Sequence, residues 1–279
     1  MNGNRYRICI MTPGGIPHVA CFTEIALLLK HSFTSLNFDC DITVNNLSNS
    51  RINVILGGNL IKHHTLSPSF TYIYFQLEQL SDDEGWYSKE MVNLLSNAYD
   101  VWDYSQTNIH FLKKRGIKAK LLPLGYHPAL EIITPQLKKD IDILFYGSIN
   151  QRRLDIIKEL KKDSGIKCSA VFGVYGPQLY NLIARSKIIL NVHFYSKMIF
   201  EAVRISFLLN NHCFVISEDS TDYPYQKIEL PLVPYDTIID TCYYYLKKPD
   251  EIVLNGNLYF NQFRQFFPMD KLLDQVIHC

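Results

Sequence analysis

The densest group of side chains able to do chemistry lies in Ile188 to Asp219, IILNVHFYSKMIFEAVRISFLLNNHCFVISED. Asn191, His193 and Tyr195 follow an apolar run. Glu201 and Arg204 open a helix-period segment that also carries Phe200, Val203 and Phe207. A carboxylate and a guanidinium among such neighbours are costly to bury unpaired, so they either sit at the wet edge of the helix or hold a ligand. The pattern of apolar run, break at His193–Lys197, helix-period segment and second apolar run Cys213–Ser217 reads as strand, loop, helix, strand. In an open parallel sheet, ligands gather at the carboxyl ends of strands, where helix N-termini favour anionic groups. Asn191, His193, Tyr195, Glu201 and Arg204 are therefore expected to face a ligand crevice.

A second group is Phe145-Tyr146-Gly147-Ser148-Ile149-Asn150-Gln151-Arg152-Arg153. Glycine and serine at a strand end, with two arginines on the next helical turn, suit a diphosphate bound by backbone N–H groups and guanidinium. Positive charge there opposes the helix dipole, which points to an anionic partner, with a solvated arginine pair as the alternative. No lysine follows a glycine frame and no GxGxxG occurs, so neither a Walker loop nor the nicotinamide fingerprint is present. Glu78 closes the apolar run Tyr72-Ile73-Tyr74-Phe75-Gln76-Leu77. Restricted solvent there raises a carboxyl pKa, making Glu78 a candidate base or acceptor-binding residue, or else a cap for the next helix. Asp39-Cys40-Asp41 and Asp140-Ile141-Asp142 precede strands, whereas a divalent ion held against a diphosphate needs their ends. Metal is not expected.

The elements that must position these residues alternate along the chain. Strands are predicted at Tyr6–Met11, Asp41–Val44, Ile52–Leu56, Phe70–Leu77, Val101–Tyr104 and Ala119–Pro123, and helices at Ala20–His31, Ser88–Asn97 and Thr107–Arg115. Strand-then-glycine turns follow the first strand (TPGGIPH) and the third (Gly57-Gly58-Asn59). After a polar, Pro-containing stretch the pattern restarts with strand Ile141–Tyr146, helix Gln151–Lys162, strand Lys167–Phe172 and helix Pro177–Ser186. Helices at Tyr235–Lys247, Glu251–Phe267 and Met269–Ile277 close the chain. Alternation of this kind argues parallel sheets covered on both faces. The expected fold is α/β, two Rossmann-like domains facing each other across a cleft. The boundaries are 1–127, a linker 128–140, 141–267, and a C-terminal helix 268–279 that packs back on the first domain. His127, in the interdomain stretch, either lines the cleft or ends its strand.

The 279 residues are 47% apolar and 20% charged, which excludes disorder. A formal charge of +1 gives no general field for nucleic acid or an anionic membrane. The seven cysteines lie mostly in apolar runs without zinc spacing and read as buried reduced thiols. No signal-peptide core or membrane-length run is present, so a soluble intracellular protein is expected.

The order and spacing of DILFYGSINQRR, YGPQLYNLIARSKIILNVHFYSKMIFEAVR and CFVISE give a resemblance covering nearly the whole chain. The protein resembles GT-B-type glycosyltransferases, near the spore-maturation-protein-like and the viral and bacterial nucleotide-sugar transferases. That resemblance implies transfer from a UDP- or GDP-sugar to an acceptor hydroxyl without metal or other cofactor. The acceptor is left open among glycan, protein, lipid and modified nucleic acid, and the oligomeric state is also open. Many retaining members carry two glutamates separated by seven residues. Glu201 falls on the second position and implies a bond to ribose hydroxyls, which suits an acceptor-only carboxylate. His193 stands where the first would be. Arg204, one turn beyond Glu201, either pairs with it or reaches the nucleotide. On the acceptor side the resemblance places the Gly14-Gly15 loop against diphosphate or acceptor and makes His18 the leading base, an imidazole suited to proton removal near neutrality, with a surface or helix-cap histidine as the alternative. A two-lobed nucleotide- or sugar-binding or assembly protein without turnover is the alternative.

Overall fold

The computed structural model describes residues 5–12, 17–61, 66–82, 87–134, 136, 138–195 and 197–278, excepting the side chains of 17–19. The chain forms two compact units, Met1–Ala129 with Pro268–Cys279, and Leu130–Phe267.

In unit 1, strands β1 (Arg5–Ile10), β2 (Asp39–Val44), β3 (Ile52–Leu56), β4 (Tyr72–Gln76), β5 (Asp100–Asp103) and β6 (Lys120–Leu121) make a parallel sheet of order β2-β1-β3-β4-β5-β6. Helices α1 (Thr23–Ser35), α2 (Lys89–Ser96) and α3 (Gln106–Lys113) alternate with them. Strands covered on both faces must be apolar on both, and Val54, Ile55 and Leu56 of β3 and Ile73, Tyr74 and Phe75 of β4 are all buried. The α1 stripe Ile25, Leu28, Leu29 and Phe33 is buried too, as helical periodicity requires. Ser88 and Ser105 cap α2 and α3 by accepting from Met91 N and Asn108 N. The sixth strand is shorter than the run Ala119–Pro123 predicts, because Pro123 has no N–H to extend the ladder.

Unit 2 holds β7 (Ile141–Tyr146), β8 (Cys168–Val171), β9 (Ser186–Asn191), β10 (Val215–Glu218) and β11 (Leu232–Val233), parallel throughout in the order β11-β10-β9-β7-β8. Its helices are α4 (Gln151–Lys162), α5 (Gly176–Ala184), α6 (Ala202–Leu209), α7 (Ile238–Leu246) and α8 (Pro249–Phe266). The expected linker 128–140 is no free tether. Ile132 N and Ile133 N donate to Asn211 Oδ1 at 2.9 and 2.8 Å, and Asn211 Nδ2 donates to Leu130 O at 2.9 Å. The final helix α9 (Met269–His278) belongs to unit 1, where Met269 N donates to Tyr126 O at 2.8 Å.

Each sheet has the same winding. Its first strand lies between its second and third, so successive crossovers leave that strand in opposite directions, with switch points between β1 and β3 and between β7 and β9. Crevices outside the carboxyl ends at such points are where open α/β sheets bind ligands. Cys9, Cys40, Cys213 and Cys242 are buried free thiols and Cys168 is half-buried, while Cys21 is exposed. No described helix is long and apolar enough to cross a membrane.

Candidate functional site

The loops after β7 and β9 bring together most of the candidates from the second half of the sequence. Gly147 has φ +127°, and a Cβ there would lie 2.6 Å from Arg204 Nη2. Only glycine accepts both the backbone angle and the approaching guanidinium. Ser148 is exposed. Asn150 caps α4 by accepting from Arg153 N at 3.0 Å, and its Nδ2 donates to Phe194 O at 3.0 Å, tying the two loops together.

Glu201 stands at the centre. It is the residue before α6 rather than part of its first turn, as the sequence reading had it. One carboxylate oxygen accepts from Asn191 Nδ2 at 2.9 Å, His193 Nδ1 lies 3.0 Å from the other, and the buried Arg153 guanidinium is 3.7 Å away. Burial alone would raise the Glu201 pKa. The His193 bond and charge, the Arg204 charge and the Asn191 bond outweigh it and hold the carboxyl below its ordinary value. His193 is fully buried, with Nδ1 toward Glu201 and Nε2 2.9 Å from the Asp219 carbonyl oxygen. Acceptors on both sides of the ring call for both nitrogens to carry protons. Burial lowers the imidazole pKa, and Glu201 more than reverses this, leaving it raised. Arg204 does not close on Glu201; its Nη1 donates to Asn191 Oδ1 at 2.8 Å and its guanidinium lies 5.1 Å from the Tyr146 ring centre.

The two neighbouring arginines, Arg152 or Arg153 being expected to face a diphosphate, both have protein partners. Arg153 is buried, donating from Nε to Val192 O at 2.7 Å and from Nη1 to Ser148 O at 2.8 Å. Burial and the like charge of Arg204 bring its pKa down to about 10, which leaves it charged at neutrality. Arg152 forms a two-pronged pair with the fully buried Glu218 and lies 3.9 Å from the Tyr235 ring centre. Glu218 also accepts from His193 N at 3.0 Å. The basic turn therefore braces the crevice with both guanidiniums and leaves Arg204, Gly147, Ser148 and the start of α4 at its rim.

In unit 1, Gly14 and Gly15 lie outside the described residues. His18 falls in the short 3-10 turn Pro17–Phe22, its side chain likewise outside them. Glu78 follows β4, and its main-chain oxygen is held by Asn108 Nδ2 at 2.8 Å and Gln76 Nε2 at 3.2 Å. Desolvation pushes its carboxyl up to about 7, opposed in part by the Asn59 amide. His127 is buried within unit 1, its Nε2 3.0 Å from Ser35 Oγ and its Nδ1 accepting from Ala129 N at 3.1 Å. Both Asp-x-Asp strings sit at strand starts in ion pairs: Asp41 with Arg7, Asp39 with Arg51, Asp140 with Arg185 and Asp142 with Lys187. Among the described residues no group of three or more His, Cys, Asp or Glu is placed to hold a metal ion. Glu218 and Asn150 were not singled out from the sequence. The carboxyl end of the run Cys213–Ser217 was the available signal for Glu218, and the N-cap position before Gln151 for Asn150.

No protein-family model matches the chain. It is 26% identical over 196 residues to Uncharacterized protein L140 of Acanthamoeba polyphaga mimivirus, covering 67% of this chain and 62% of that protein. Among solved structures, it is similar to S. aureus TarM in complex with Fondaparinux, alpha-GlcNAc-glycerol and UDP, with a TM-score of 0.59 at 12% identity, covering 83% of this chain and 55% of TarM. A second TarM structure gives a TM-score of 0.53 at 13% identity. The chain thus spans less than two thirds of the length of these proteins. The resemblance to GT-B-type glycosyltransferases holds at the level of the fold.

Proposed function

We propose that the protein transfers a sugar from a nucleoside-diphosphate sugar, UDP- or GDP-linked, to an acceptor hydroxyl. The observation that carries this reading is Glu201: a carboxylate kept ionised at the switch point of unit 2, beside a glycine that admits the Arg204 guanidinium. An ionised carboxylate accepts from two ribose hydroxyls, and charge-assisted bonds of this kind are about twice as strong as neutral ones. The diphosphate is met by Ser148, the amides opening α4 and α6, and Arg204, without a metal. Unit 1 supplies the acceptor side. As the acceptor oxygen bonds to the anomeric carbon, its proton passes to Glu78 or His18, and the electron pair of the broken C–O bond leaves with the nucleoside diphosphate. TarM, similar in fold, has a crystal structure containing UDP, which supports a nucleotide as ligand.

One observation favours the non-catalytic alternative. His193, in place of a carboxylate, is consumed by Glu201 and Asp219, so no second acid faces a donor sugar from that position. Calorimetry with UDP, GDP and their sugars in the presence of EDTA, followed by mass analysis of products from mixed acceptors, separates the readings. Binding with transfer is expected. Binding with neither transfer nor donor hydrolysis would leave a carrier, and no binding by any of the panel would remove the donor site.

A further inference from the structure

Asn191 is the last residue of β9 and is fully buried. Its carboxamide is used at both ends: Oδ1 accepts from Arg204 Nη1 at 2.8 Å, while Nδ2 donates to Glu201 at 2.9 Å and to Ser217 Oγ at 3.0 Å. Ser217 in turn donates its hydroxyl proton to Glu218 O at 2.9 Å. Its oxygen is thereby left to accept from Asn191, which fixes the way the amide is turned. Glu201 and Arg204 stand three residues apart across the start of α6, a spacing at which opposite charges close on each other, and the Arg204 charge is felt at Glu201. Each is held instead by its own end of the Asn191 amide. Both charged residues are half-buried, whereas Asn191, Ser217, His193 and Glu218 are fully buried, so the network is anchored in the interior and its charged ends reach the crevice.

We infer that Asn191 is the positioning residue of the donor site. It keeps Glu201 and Arg204 from neutralising each other, so that the carboxylate is left to the ribose and the guanidinium to the diphosphate, and the site takes ribonucleoside diphosphates in preference to their 2′-deoxy counterparts. This rests on the transfer reading above. A pair closed within the protein would have to be broken before a ligand gained either contact, whereas charges already held apart bind without that cost. A carboxylate offers about four acceptor positions. Asn191 and His193 take two of them, which leaves two for the vicinal hydroxyls of a ribose. A 2′-deoxyribose fills only one of these, and a site shaped for a hydroxyl discriminates against the analogue that lacks it.

Calorimetry with UDP, 2′-deoxy-UDP and UMP tests this on the wild type and on Asn191→Leu, with Asn191→Ser as the second variant should the apolar replacement fail to fold. The wild type should bind UDP about tenfold more tightly than either of the others, which lack one hydroxyl or one phosphate. Each variant should bind UDP about tenfold or more weakly than the wild type, and both preferences should fall to about twofold or less, because the ribose and diphosphate contacts are lost together. Damage to the fold alone would weaken all three ligands in proportion and keep the two ratios. That result, or a wild type indifferent to the 2′-hydroxyl, would overturn the inference. A second arm needs no ligand: in crystals of either variant Arg204 should close on Glu201 to about 3 Å, and a guanidinium still held away from the carboxylate would count equally against it. If neither UDP nor GDP binds the wild type, the transfer reading fails, while the ligand-free crystals still decide whether Asn191 holds the two charges apart.

Discussion

Replacing Glu201 by Gln keeps the side chain's size while removing its charge and half its accepting capacity. In the native protein its two oxygens take N–H groups from Asn191 at 2.9 Å and His193 at 3.0 Å, with Arg153 at 3.7 Å. An amide has one oxygen, and its NH2 would point at one of these donors whichever way it turned. A lost bond to a charged group is worth roughly 1.5–3 kcal/mol, and a buried imidazolium left without its counter-ion moves the cost to the upper end, about 3 kcal/mol. The pH dependence follows from the two directions. The raised pKa of His193 gives stability that is complete below its ordinary 6.5 and lost as pH rises through the folded value. The depressed pKa of Glu201 gives stability that is complete above 4.5 and lost as pH falls through its folded value. Both contributions are whole between these values, so urea unfolding at pH 5.5 should show the full deficit in Glu201→Gln. As pH rises through the folded value of His193 and the imidazolium loses its proton, the deficit should shrink. UDP affinity, measured at pH 7 on folded protein, should fall about tenfold or more. A deficit that stays the same size across the alkaline titration would refute the imidazolium–carboxylate assignment, and undiminished UDP affinity would take Glu201 out of the donor site.

Three further outcomes are expected. Arg152→Ala strands the fully buried Glu218 with only the His193 N–H and should cost about 3 kcal/mol in urea unfolding; a loss under about 0.5 kcal/mol would show the pair to be solvated. Gly147→Ala forces a φ of +127° on an L-residue and crowds Arg204, so it should destabilise by about 1–3 kcal/mol and weaken UDP binding, with an unaltered melting curve as the contrary result. Glu78→Gln bears on an acid whose folded pKa is raised from 4.5 to about 7. The wild type should lose up to about 3 kcal/mol of stability as pH climbs through that interval. The variant should not lose it, and should transfer about 100-fold slower or worse. Parallel stability profiles of the two proteins would contradict the desolvation argument.

The alternation of elements was legible because strands buried on both faces leave nearly continuous apolar runs, and the helix over Gln151–Lys162 and the strand Ile141–Tyr146 stand where periodicity places them. Strand β11 was not, since two residues between Pro231 and Pro234 carry no period. The site was legible in position but not in orientation. Arg152 and Arg153 occupy the expected turn, yet which way a guanidinium faces depends on Glu218 and the Val192 carbonyl, contributed from other strand ends. Sequence spacing put Arg204 within reach of Glu201 along a helix. The three-dimensional answer, a bond to Asn191, depends on Glu201 lying just outside that helix.

Two carboxylates, one in each sheet-bearing unit, sit in contrasting environments. Glu78 and Glu201 each lie close after an apolar strand, and burial pushes both toward the protonated state. In unit 1, among the described residues, a neutral amide alone opposes that push, and the acid rises to about 7, where it can exchange a proton with a hydroxyl near neutral pH. In unit 2 an imidazolium, an amide and a guanidinium charge oppose it, so the acid stays ionised and fit to accept hydrogen bonds without taking protons. Environments that drive like groups apart in proton affinity mark out which one moves a proton and which one holds a substrate. Under the proposed transfer, Glu78 is the carboxylate suited to the chemical step and Glu201 the one suited to binding, a division that follows from what surrounds each carboxylate rather than from the strand that delivers it.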